Sequence, residues 1–184
     1  MKTFFNELDQ ALLLMLNKCH HPIIDYFFRL VTSVSFWVPL YVFLLAFIKK
    51  KLGWPGVCFF IATITISDQS SASLFKPFFE RYRPCYQVNI PLIHLVGEHE
   101  GIYGFPSSHA SNTFSFAMLF WKVFRLKHKH TRLFFVWAAI VSYGRIYGGM
   151  HYPLDVICGA MLGICVGALN YRLYRSSKWW RYDI

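Results

Sequence analysis

Three short stretches carry the residue types from which a phosphate-handling site could be built: residues 76–84, 106–109 and 144–155. The last reads Gly-Arg-Ile-Tyr-Gly-Gly-Met-His-Tyr-Pro-Leu-Asp. Proline is favoured at the first position of a helix, so Pro153 marks a helix start just after His151. Asp155 then falls in the first turn, within reach of the His151 ring. A carboxylate holding one imidazole nitrogen fixes the tautomer and leaves the other free to attack, as a histidine nucleophile requires. The structural alternative is a helix hairpin in which Asp155 is an N-terminal charge and His151 a cap.

Lys76, Arg81 and Arg83-Pro84 place cations at the end of an apolar run. Guanidinium forks bind phosphate oxygens in pairs, and an ammonium acts as a point charge. Anchoring to lipid head groups explains such residues equally well. Pro106-Ser107-Ser108-His109 precedes another apolar run. Ser107 reads as a helix N-cap, whose free backbone N–H groups and dipole form an anion site. His109 could pass a proton to a departing oxygen; alone, a capping serine beside an interfacial histidine explains the stretch better. A metal centre is not expected. Of the eight histidines, His20, His21, His128 and His130 lie outside these stretches, and the cations would repel a divalent ion.

The elements that must position these residues are apolar. The 184 residues are 55% hydrophobic and 20% aromatic, with a net charge of +10 and a mean hydropathy of +0.36. One all-α membrane domain over residues 1–184 is expected. Residues 4–16 read as a short amphipathic helix. At about 1.5 Å per residue it spans only about 20 Å of the roughly 30 Å hydrocarbon core, and so lies in or dips into the interface. Glu7 and Asp9 argue against a cleavable leader. A polar break at 17–22 leads to five segments of about spanning length: 26–48, 54–75, 108–124, 133–150 and 154–173. Residues 76–105, with Pro77, Pro84 and Pro91, should be mostly loop. Asp68 and Gln69, inside the second segment, suit an interhelical hydrogen-bond network. Cysteines 58, 158 and 165 read as buried small hydrophobes, and Cys19 and Cys85 could share an aqueous side and pair.

Eleven of the nineteen lysines and arginines follow the first, third and fifth segments, at 49–51, 125–132 and 172–181. Alternate crossings put all three groups on one side, the cytoplasm by the positive-inside rule. Trp179, Trp180 and Tyr182 fit an interfacial anchor there. The basic charge is thereby explained without nucleic acid. The same alternation gathers the three chemical stretches on the extracytoplasmic face.

In this order, K-x6-R-P, P-S-x-H and R-x5-H-x3-D resemble the motifs of the type 2 phosphatidic acid phosphatase (PAP2) superfamily. The resemblance implies a bundle usually of six transmembrane helices, the N-terminal helix here being the atypical one. It also implies metal-independent, cofactor-free hydrolysis of lipid phosphates through a phosphohistidine. His151 would attack, Asp155 orient it, and His109 protonate the leaving oxygen and then activate water. Lys76, Arg83, Arg145, Ser107 and the Ser108 amide would bind the phosphoryl oxygens. Two positions depart from the pattern: Ser108 replaces a glycine and Gly144 a serine.

The compact chain looks most like bacterial undecaprenyl-diphosphate phosphatases of the inner membrane. Lipid A, phosphatidylglycerophosphate and phosphatidic acid are alternative substrates. A non-catalytic protein that binds or moves phospholipid is the alternative class; it would not require the His151–Asp155 pair.

Overall fold

A computed structural model describes residues 2–87, 93–97 and 101–177. The helices are α1 (Lys2–Asn17), α2 (Pro22–Thr32), α3 (Val38–Gln69), α4 (Lys76–Phe79), α5 (Ser108–Phe124), α6 (Leu133–Tyr147) and α7 (Pro153–Ser176). Among the described residues the only β pairing is one isolated bridge, Tyr82 to Tyr103. Pro91, Lys178, Arg181 and the aromatic anchor at 179, 180 and 182 lie outside the described residues.

The expected segment 26–48 is not one helix. α2 stops at Thr32, a 3₁₀ turn covers Ser35–Trp37, and the helical stretch beyond is inclined at 69° to α2. The Trp37 indole N–H caps the Val31 carbonyl at 2.7 Å, and Pro39 lacks the N–H needed to continue the helix. The break expected between 48 and 54 is present at Gly53, where φ is +70° inside α3, a conformation open to glycine at little cost. There the chain folds back. The rings of Phe47 and Phe60 both pack on Phe124, at 5.3 and 6.5 Å, whereas thirteen residues of unbroken helix would set them about 20 Å apart.

α7 is long and apolar enough to cross a membrane, and the bent stretch from Pro22 to Phe79 is a second candidate. α5 and α6 have 17 and 15 residues, short of the roughly 20 that a perpendicular span needs, so five long spans do not follow from helix length. The membrane character shows in which residues face outward. α7 exposes Leu154, Ile157, Met161, Leu169 and Leu173 and buries Gly159, Gly163, Gly167 and Asn170.

Those glycines set the central contact. A Cβ added at 159, 163 or 167 would lie 2.4, 2.2 or 2.5 Å from the carbonyl oxygen of Ser107, Ser111 or Ser115. Small residues every fourth position on both helices thus bring α5 and α7 backbone to backbone, the geometry of close helix pairs in membranes. The periodicity is plain in the sequence. As expected, Asp68 joins an interhelical network, accepting from Asn112 Nδ2 at 2.9 Å; the Ser67 and Ser111 hydroxyls meet at 2.7 Å.

The two ends of the bundle differ. At one, Phe47, Phe124 and His128 pack together and Phe59 meets Tyr174. This gathers the basic stretches at 49–51, 125–132 and 172–175. The other end carries the three chemical stretches. Cys19 and Cys85 are both free thiols, so no disulfide joins them; of the three cysteines expected to be buried, Cys58 and Cys165 are exposed and Cys158 is half-buried.

Candidate active site

The N-terminus of α7 organises the site. Pro153 opens the helix, and the Tyr152 N–H donates to Asp155 Oδ2 at 3.0 Å, so the carboxylate caps the start of the helix. His151 is held by its own backbone, which donates to the Arg145 carbonyl at the end of α6. Its ring is fully buried. Nδ1 lies 3.4 Å from Asp155 Oδ2. The two groups are in contact, as the spacing predicts, but outside hydrogen-bond geometry, with Oδ2 already accepting from Tyr152.

The other ring nitrogen meets Arg83, whose Nη1 is 2.7 Å from Nε2. A guanidinium only donates, so Nε2 is the acceptor and the ring proton sits on Nδ1, facing Asp155. Arg83 is itself fixed by the Gly101 carbonyl, which accepts from Nε at 2.6 Å. The segments around Arg83 and Ile102 pair through Arg83 N–H to Ile102 O and Gly104 N–H to Arg81 O, at 3.0 and 2.8 Å. Burial holds the His151 pKa well below its ordinary value, reinforced by the charges of Arg83, Arg145, Lys76 and His109. The ring is therefore neutral at pH 7 with an unprotonated Nε2.

The second stretch reaches the same place. Ser107 caps α5, its hydroxyl accepting from the Ala110 N–H at 3.5 Å, and its own N–H donates to the Asp155 carbonyl at 2.9 Å. Ser108 has a helical backbone and strains nothing. Its hydroxyl accepts from Ser71 at 2.9 Å, in the wide turn Ser70–Phe75 that precedes Lys76. Ser108, His109 and Lys76 line the mouth of a cavity of about 610 Å³ that runs between α3, α5 and α6 past Leu45, Ile64 and Phe116. Arg145 is 4% exposed. Gly144 has no room for the serine of the motif, because a Cβ there would come within 2.6 Å of Thr32 and 2.9 Å of Phe28 on α2. All eight residues singled out by the sequence thus gather at one end of the bundle.

Three further residues belong here. Gly104 lies against the pair: a Cβ would stand 3.1 Å from Asp155 Oδ2, 3.1 Å from Arg83 Cγ and 3.5 Å from His151 Nδ1. Arg81 forms 2.6 Å ion pairs with both Asp155 and Asp9 of α1. A glycine in a loop and an aspartate on an amphipathic helix carry no local signal of such a role. Among the described residues no three His, Cys, Asp or Glu side chains gather as a metal-binding set.

The PAP2 superfamily model matches residues 53–179. The chain is similar to the lipid A 4'-phosphatase of Bacteroides thetaiotaomicron, with 37% identity over 178 residues covering 93% of this chain and 79% of that protein. The lipid A 4'-phosphatase of Porphyromonas gingivalis is 36% identical over 186 residues, covering 94% and 76%. The crystal structure of Aquifex aeolicus LpxE superposes with a TM-score of 0.68 at 29% identity, over 88% of this chain and 93% of that one. With its three motifs meeting at the N-termini of α5 and α7, and with a family match over more than two thirds of its length, this chain belongs to the PAP2 superfamily.

Proposed function

We propose that the protein is a membrane phosphatase that removes a phosphate monoester from a phosphorylated saccharolipid of the lipid A type, on the extracytoplasmic face. The observation that carries the reaction type is the buried, neutral His151, with Nε2 against Arg83 and Nδ1 toward Asp155. The phosphate takes up donors from Lys76, Arg83 and Arg145 and draws the Arg83 guanidinium off Nε2. The Nε2 lone pair attacks phosphorus, the P–O bond to the lipid breaks, and the leaving oxygen takes a proton from His109. Water then attacks the phosphohistidine, giving its proton to His109 and releasing phosphate.

The saccharolipid is favoured over undecaprenyl diphosphate on two grounds. Two relatives named for lipid A 4'-phosphatase align with nearly the whole chain. In the cavity, one turn below His109, the Asn112 side-chain oxygen Oδ1 is buried without a hydrogen-bond partner beside the Asp68 carboxylate. These are acceptors for hydroxyl or amide N–H groups, which a sugar head group has and a prenyl chain lacks. Five crossings with the basic end in the cytoplasm accommodate this arrangement.

Phosphate release by the purified protein from lipid A, undecaprenyl diphosphate, phosphatidylglycerophosphate and phosphatidic acid tests the reading. Lipid A is expected to turn over fastest, unaffected by EDTA; fastest release from the prenyl lipid would overturn the substrate, and loss in EDTA the mechanism. The cavity should seat the acyl part of the lipid. Ile64→Trp, filling its middle, is expected to raise KM for lipid A by about tenfold or more and to leave turnover of a short-chain phosphate ester unchanged.

A further inference from the structure

Arg81 differs from the other cations of the site. Its Nη1 is 2.6 Å from Asp155 Oδ1 and its Nη2 2.6 Å from Asp9 Oδ2. Its guanidinium lies 4.3 Å from the centroid of the Tyr152 ring. With both terminal nitrogens on carboxylates it is not placed to receive phosphate. Asp9 is 5% exposed, and its other oxygen accepts from the Leu154 N–H at 2.9 Å, so a residue of α1 caps α7 from outside the helix. If this were only an attachment of α1, the anchor could be any polar group near α7. It is instead the carboxylate that faces His151.

We propose that Arg81 and Asp9 are positioning residues of the active site: the guanidinium, held between the two carboxylates, fixes Asp155 against His151 and sets how much negative charge the imidazole meets. This rests on the phosphohistidine reading above. It gives α1 a role in catalysis, since α1 supplies the second carboxylate. His151 is faced by Asp155 and by Lys76, Arg83, Arg145 and His109. Asp155 is faced by Arg81 and Arg83, with Tyr152, Cys158 and Asp9 near by. Removing the Arg81 charge makes proton uptake by the His151–Asp155 pair easier, whichever member holds the proton. Removing the Asp9 charge makes it harder.

The two changes therefore have opposite signs. The acid limb of kcat/KM against pH, measured with lipid A, should move up by about one pH unit in Arg81→Gln and down in Asp9→Asn, with the double variant nearer wild type. Arg81→Lys, which keeps the charge but cannot bridge both carboxylates, should keep the wild-type limb and lose about tenfold in kcat. A limb that stays put in both single variants, or moves the same way in both, overturns the proposal and leaves a structural tie. If Arg81→Gln does not fold, Asp9→Asn carries the test by the sign of its shift. Binding of orthovanadate against pH, in wild type and both variants, reads the same pair without turnover. Wild type inactive on every lipid defeats the phosphatase reading, and the vanadate shifts still decide the role of Arg81 and Asp9.

Discussion

His151→Ala is expected to abolish phosphate release, by about 10⁴-fold or more, because a missing nucleophile has no substitute in a site built around it. Arg83→Ala should cost less, about 10²–10³-fold, since other cations still face the phosphoryl group. Acid-labile phosphate recovered on His151 after rapid quenching of wild type would identify the intermediate; its absence, or an active His151→Ala, would sink the mechanism. The low pKa of His151 adds a pH signature. The unfolded chain takes a proton near its ordinary value of 6.5, and the buried native ring does so only at lower pH. Unfolded molecules thus bind more protons in that window, and native stability falls as pH drops below about 6.5. His151→Ala lacks this term, so its thermal unfolding in detergent should depend less on pH between 6.5 and 5.

Gly159→Ala is expected to lose about 10²-fold in activity with the fold intact. The added methyl carbon would stand 2.4 Å from the Ser107 carbonyl oxygen, and that backbone cannot yield without moving α5. Ser107 is the residue whose N–H bonds the Asp155 carbonyl, so the shift displaces His109 from His151 directly, and displacements near 1 Å can cost that much. Gly163→Ala, with a 2.2 Å approach to Ser111 O, should also destabilise, by about 1–3 kcal/mol. Met161→Leu, on the exposed face of the same helix, is the control and should change neither. Activity and thermal unfolding of the three variants separate the effects. Wild-type activity in Gly159→Ala would mean that the α5–α7 approach does not set the site. Gly104→Ala probes the opposite wall, and its 3.1 Å approach to Asp155 predicts a smaller loss without unfolding.

Residue type and spacing were enough to identify the three chemical stretches, because each depends on a local rule. Proline starts a helix, serine caps one, and a carboxylate four residues after a histidine across such a start points back at it. The helical class and the separation of basic from chemical ends were legible for the same reason, since bilayer length and charge are read along the chain. The segment 26–48 departs from its expected single helix because hydropathy does not register the break that Trp37 and Pro39 impose.

What only the folded chain decided is which carboxylate serves which cation. Asp9 and Arg81 are 72 residues apart, and nothing local to α1 says that it caps α7. The 3.4 Å gap between His151 and Asp155, the contact of Arg83 with Nε2 and the wall formed by Gly104 arise where the 80–105 segment meets the start of α7, segments far apart in the chain. The α5–α7 packing is set by carbonyl oxygens meeting glycines across two helices; the small-residue period is legible within each segment, but which helix meets which, and in what register, is decided only when the two come together.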